Sequence, residues 1–150
     1  MLRRSIAFSL FAAAATGLAV TLVACSTAPN DLDLSLRHPS LQGRFVVDIE
    51  PPARGPVIGQ MHSWTLRVAT PDGLPVSQAR IGVDGGMPQH GHGLPTQPRI
   101  TRETTPGTYV IEGMKFSMTG WWDLRLDIDA AGTRDKAVFN LVLADGGLKR

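Results

Sequence analysis

Ten consecutive residues, Gly86-Met87-Pro88-Gln89-His90-Gly91-His92-Gly93-Leu94-Pro95, place one thioether and two imidazoles within six positions. Imidazole suits copper, zinc, iron and nickel, whereas a thioether is a soft ligand that selects Cu(I), so the mixture of Met87, His90 and His92 points to copper. The glycines let the backbone bend until both imidazoles face one ion, and the prolines reduce the freedom lost in holding them there. A closed zinc site usually takes four ligands, commonly thiolates, and the one cysteine, Cys25, belongs to the N-terminal segment. Copper is therefore the cofactor expected, with Met118 and His62 as further candidate ligands.

Each of these residues also has a plainer role open to it. His-Gly-His can be an exposed polar turn in a Gly-Pro loop. His62 begins a strand whose face continues with Trp64 and Leu66, so it can be a hydrogen-bonded histidine at the rim. Met114, Phe116 and Met118 alternate along one strand face, which makes Met114 core filler, while Met118, beside Gly120, is open to either role. Met61 points away from His62 in a regular strand and is left out. Asp123, Asp127 and Asp129 alternate with Trp122, Leu124, Leu126 and Ile128, and with Arg125 they read as a solvated face rather than paired catalytic carboxylates.

The elements that must position these groups are strands. Sixteen glycines, eleven prolines and short apolar stretches favour many short strands over long helices. Period-2 alternation recurs in 44–51, 62–70, 76–83, 108–116, 122–128 and 137–143, with a further short strand around 99–103. Pro71-Asp72-Gly73, Thr105-Pro106-Gly107 and Ala130-Ala131-Gly132 are turns. About seven short strands over roughly 100 residues predict an all-β fold, an immunoglobulin-like two-sheet β-sandwich. If every connection reverses the chain, the turns at 71–75, 104–107 and 129–135 share one pole. The segment leading into His62, the loop 84–98 and the connection 114–121 then share the other, which gathers every Met after Met1 and every His except His38.

The domain organisation expected is a signal peptide over 1–24, a lipidated Cys25 with a flexible tether to residue 43, and the sandwich over 44–150. Arg3 and Arg4 precede Ser5 to Ala24, a stretch without charge, as in a secretory signal. Leu22-Val23-Ala24-Cys25 resembles the lipobox of bacterial lipoproteins, in which the cysteine is acylated and becomes the first residue of the mature chain. An uncleaved anchor helix is the alternative, since about 20 apolar residues also span a bilayer. Either way the rest of the chain faces the periplasm, because the arginines stay inside. Ser26 after the cysteine leans the anchor towards the outer membrane. Without Arg3 and Arg4 the 15 basic residues fall to 13, matching the 13 acidic ones. A chain near neutrality has no basic field with which to hold nucleic acid.

The segments 86–93, Gly107-Thr108-Tyr109 and Gly113-Met114-Lys115-Phe116-Ser117-Met118-Thr119-Gly120-Trp121-Trp122 resemble the YtkA-like and FixH-like group of bacterial envelope proteins. The resemblance covers roughly 62–128. It implies an immunoglobulin-like sandwich, a non-catalytic role and, for FixH-like members, an association with assembly of copper-containing respiratory oxidases. Met87, His90, His92 and Met118 are the positions that it carries over. In place of the longer membrane-anchored arrangement of FixH-like proteins, this chain carries the lipobox.

Catalytic motifs are lacking: there is no Gly-x-Ser-x-Gly elbow, no phosphate-cradling loop and no His-Glu-x-x-His helix. A blue-copper centre needs a thiolate, which the sandwich lacks. The expected function is a non-enzymatic, envelope-anchored copper-binding lipoprotein that delivers or stores the metal. Its partners would be the membrane, through Cys25, and an envelope cuproprotein or oxidase assembly factor, with no small-molecule substrate evident. The alternative is a metal-free sandwich in which the same pole docks an envelope protein.

Overall fold

Strict alternation of apolar and polar residues gives each strand one face for a core and one for water, and two such sheets bury their apolar faces against each other. The computed structural model describes residues 28–149, and the signal segment with its lipobox cysteine lies outside them. The described residues form ten strands and no helix: β1 Arg37–Pro39, β2 Val46–Glu50, β3 Met61–Ala69, β4 Arg80–Met87, β5 His92–Gly93, β6 Arg99–Thr105, β7 Thr108–Lys115, β8 Gly120–Ala130, β9 Thr133–Ala144 and β10 Gly147–Leu148. One sheet runs β1-β2-β3-β7-β6 and the other β10-β9-β8-β4-β5, with every pairing antiparallel.

Seven strands have five or more residues. Lettered A to G in chain order, they give sheets A-B-E-D and G-F-C, the immunoglobulin constant-type arrangement. The expected fold class is therefore met, and β1, β5 and β10 are short additions at sheet edges.

Between the sheets lie the residues that the alternation marks: Trp64, Leu66 and Val68 from β3, Trp122, Leu124, Leu126 and Ile128 from β8, and Ala137, Phe139, Leu141 and Leu143 from β9. Antibody domains join strands B and F by a disulfide. Here β3 and β8 each supply a buried tryptophan, and the Phe116 ring contacts both, edge-on, at 6.2 Å from Trp64 and 5.3 Å from Trp122. Burying three such rings, at roughly 150–250 Å² each, ties the sheets together without a covalent link.

A bulge adjusts β7. His62 and Trp64 lie two positions apart on β3, but their partners Met114 and Ile111 lie three apart on β7. Gly113, at φ 83°, is the surplus residue. The bulge shifts the phase, so that Met114 and Phe116 point into the same core as Tyr109 and Ile111.

Residues 33–43, expected as flexible tether, pack against the sandwich. They run along it antiparallel to β9 and close the gap between β9 and β2. Asn140 Nδ2 donates to the Asp33 carbonyl (3.1 Å), Ile49 N to the Leu36 carbonyl (2.8 Å) and Leu41 N to the Lys136 carbonyl (2.7 Å). The His38 ring lies 4.2 Å from that of Phe139. The Asp135 carboxylate accepts from Ser40 Oγ (2.6 Å), from Gln42 N (3.0 Å) and from Arg44 N (3.2 Å). These polar residues are ordered because each strand edge carries backbone groups that need partners.

A candidate metal centre at one pole of the sandwich

The pole expected from chain reversal is present. Met61 and His62 at the start of β3 pair with Lys115 and Met114 at the end of β7. Gly120 at the start of β8 pairs with Leu143 near the end of β9, and Met87 and His92 close the β4–β5 hairpin. At the other pole, Val68 N donates to the Gly107 carbonyl (2.9 Å) and Val76 N donates to the Val68 carbonyl (2.9 Å), so the end of β3 links the turns before β4 and β7.

The hairpin owes its shape to its sequence. Pro88 has a fixed φ at the first corner, and Gly91 takes the left-handed conformation (φ 64°) at the last. Between them the N–H groups of His90 and Gly91 both donate to the Met87 carbonyl, at 3.0 and 2.9 Å. Gly86 faces Gly93 in the ladder, and a Cβ at Gly86 would come within 2.5 Å of the His92 carbonyl oxygen, so this close approach requires glycine. The tight hairpin brings His90 and His92 side by side, with ring centroids 5.9 Å apart and planes inclined by 22°. Both are exposed.

Met87 sits beneath the loop. It is directly opposite His92 in register, and opposed residues share a face of the sheet. Its side chain is buried. A Cβ on Gly120 would lie 2.8 Å from the Met87 methyl carbon, so Gly120 makes room for the thioether and sets the hairpin against the start of β8. Met118 is two residues earlier, with its side chain partly exposed and its carbonyl accepting from Trp122 Nε1 (3.1 Å).

His62 faces inward at the rim. Its Nε2 lies 2.8 Å from Val57 N and 3.0 Å from the Val57 oxygen. One nitrogen serves only one of these: it accepts from the N–H, with the ring proton on Nδ1, or it donates to the carbonyl, leaving a bare lone pair on Nδ1. Either way Nδ1 is buried with no hydrogen-bond partner. Met114, opposite in register, is buried in the core as its place in the alternation implied.

Thus the five candidate ligands share one pole but divide into an exposed group, His90, His92 and Met118, and an inward one, Met87 and His62. Among the described residues, no three side chains of His, Cys, Asp or Glu gather as a metal cage.

Asp123 was read as part of a solvated face, and the structure gives it a different setting. It sits opposite Gly86 in the ladder and lines a depression of about 240 Å³ with Gly85, Gly86, Gly93, His92 and Arg125. Its Oδ2 accepts from Arg125 Nη1 (2.9 Å), while its Oδ1 is buried without a partner. The signal was the missing side chain across the ladder, and finding it required the pairing of β4 with β8. Arg125 Nη2 also donates to Asp84 (2.7 Å). This bond holds the Asp84 carboxyl below the usual range and the Arg125 guanidinium above its own. The other acids of β8 form exposed pairs, Asp127 with Lys136 and Asp129 with Arg80 and Arg134. Such pairs add little stability individually.

No curated protein matches the chain. A solved structure described as "ZirS C-terminal Domain" aligns over 91% of this chain and 93% of its own, at 14% identity and a TM-score of 0.40. The family model described as YtkA-like matches residues 44–127, more than half of the chain. That span takes in β2 to β7 and most of β8, with the Met-His hairpin and the Gly113 bulge, and the chain belongs to the YtkA-like family.

Proposed function

We propose that this protein is an envelope lipoprotein that binds one copper ion at the hairpin pole and stores it or hands it to an envelope cuproprotein. The observation that carries the reading is the His90–His92 pair, 5.9 Å apart, on a hairpin whose other arm ends in Met87, register partner of His92. His90, His92 and Met87 form the proposed ligand set, with Met118 or His62 completing it. Two neutral imidazoles and a thioether suit Cu(I), and an exposed site suits transfer, since a recipient can reach ligands that a closed cage would hide. The resemblance to FixH-like proteins makes a respiratory oxidase one candidate recipient. Acylation of Cys25 would hold the domain on the periplasmic side.

The test is titration of the chain lacking its first 25 residues with Cu(I) at pH 7. One equivalent is expected to bind, and the His90→Ala, His92→Ala double variant should lose it. Unchanged stoichiometry in that variant removes the hairpin from the site. Binding should weaken on acidification, because a protonated imidazole has no lone pair to give. A ligand at 100 times its dissociation constant stabilises the folded state by about 2.7 kcal/mol. A melting temperature indifferent to copper would favour the metal-free docking module instead.

A further inference from the structure

The chain enters the sandwich at the same pole that carries the histidine hairpin. Ala28, Pro29 and Asn30, the first described residues, line a depression of about 580 Å³ together with His90, Trp121 and Lys149. From there the chain passes Asp33, bonded to Asn140, and travels towards the far pole. Cys25 precedes Ala28 by three residues, a reach of at most about 11 Å in any conformation.

The exposed apolar side chains point the same way. Five large hydrophobic residues are exposed among those described, and three belong to this pole: Val57 (47%), Met61 (70%) and Met118 (39%). Val57 bonds to His62, Met61 begins β3 and Met118 lies between β7 and β8. They come from two connections, β2–β3 and β7–β8, that lie at the pole where the chain enters.

We propose that this tip rests on the lipid bilayer, with Val57, Met61 and Met118 at the headgroup boundary and the histidine hairpin held at the membrane surface. The inference rests on acylation of Cys25 and is independent of copper. With an anchor so close, the bilayer is the surface that the tip meets before any other. A few apolar side chains add to the lipid chains a contact that fixes orientation, as a second weak membrane signal does. The far pole, which carries Leu74, would stand about 40 Å away, the length of a 12-residue strand such as β9. A recipient for whatever the hairpin holds would then be embedded in, or lie flat on, the same membrane.

The experiment uses the full-length lipidated chain with one added cysteine, Met61→Cys at the tip or Leu74→Cys at the far pole, where Leu74 is 65% exposed. Acylation blocks Cys25, so an environment-sensitive fluorophore labels only the new thiol. Each protein is reconstituted, without copper, into phosphatidylethanolamine–phosphatidylglycerol vesicles containing a spin-labelled quencher lipid. The expected result is several-fold stronger quenching at residue 61 than at 74. Vesicle-bound protein with equally weak quenching at both, or stronger quenching at 74, overturns the proposal. Quenching at 61 that needs added membrane proteins also overturns it, in favour of a protein partner. Failure of the anchor itself would show separately, as full-length chain and Cys25→Ser variant recovered equally in the soluble fraction, and the proposal would fall with it.

Discussion

Replacing Asp135 by alanine removes the acceptor for Ser40 Oγ and for the N–H groups of Gln42, Arg44 and Lys136. Burial opposes the charge of this carboxylate, but those four donors outweigh it and hold its pKa below the usual value. With donors left unpaired, Asp135→Ala should cost about 2–3 kcal/mol in denaturant unfolding, and Asp135→Asn somewhat less. The depressed pKa makes stability depend on pH. The unfolded carboxyl takes up a proton first as pH falls below about 4, so stability present above that value is lost as pH descends towards the lower folded pKa. Melting curves from pH 6 to pH 2 should show this loss, and Asp135→Asn should flatten it. Asp135 was legible in the sequence only as one acid among several, because three of its four partners lie 91 to 95 positions away. Met87 was hidden for another reason. Alternation through Ile81 and Val83 assigns residue 87 to the inner face, but Gly85 and Gly86 interrupt the pattern, and a residue without a side chain shows no facing. Trp122 and Met114, set among bulky neighbours, could be placed in the core directly.

The β7 strand depends on Gly113, and the turn before it on Gly107; the two glycines should respond differently to alanine. Gly107 has φ 72°, and a Cβ there would lie 2.7 Å from the Val68 carbonyl oxygen and 2.9 Å from Pro75 Cβ. Gly113 has φ 83°, but its Cβ would meet nothing nearer than 3.7 Å. Gly113→Ala should therefore cost only the left-handed strain, about 1–2 kcal/mol, while Gly107→Ala adds a backbone clash and should cost more. Chemical denaturation of both variants checks the ranking, and equal losses would contradict it. The same pole holds the Tyr109 hydroxyl between the Val76 carbonyl (2.6 Å) and Ala79 N (3.0 Å). Its pKa is raised by burial. Turn chemistry was readable at Thr105-Pro106-Gly107, where Pro and Gly leave few alternatives. The bulge was not, because Gly113 within an alternating run looks like any small strand residue until its partner strand is known.

At the scale of the whole molecule, the pole assignment depended on the connections reversing the chain, and the antiparallel ladders show that reversal directly for β2–β3, β6–β7 and β8–β9. Residues 33–43 escaped the reading because their composition is that of a linker, while their order comes from edges that the body of the sandwich leaves open. A chain beginning at Arg44 should accordingly be less stable than one beginning at Ala28, by several kcal/mol, since it exposes Phe139 and Asp135 and strips hydrogen bonds from β2 and β9. Calorimetry of the two chains measures the difference, and matching melting temperatures would show that the strap is dispensable. The ring cluster of Trp64, Phe116 and Trp122 has its own consequence. Strands that antibody domains rivet with sulfur are joined here by packed carbon, so this body should reach its final shape in a thiol-rich cytosol as readily as in an oxidising compartment, with identical melting in dithiothreitol and in air.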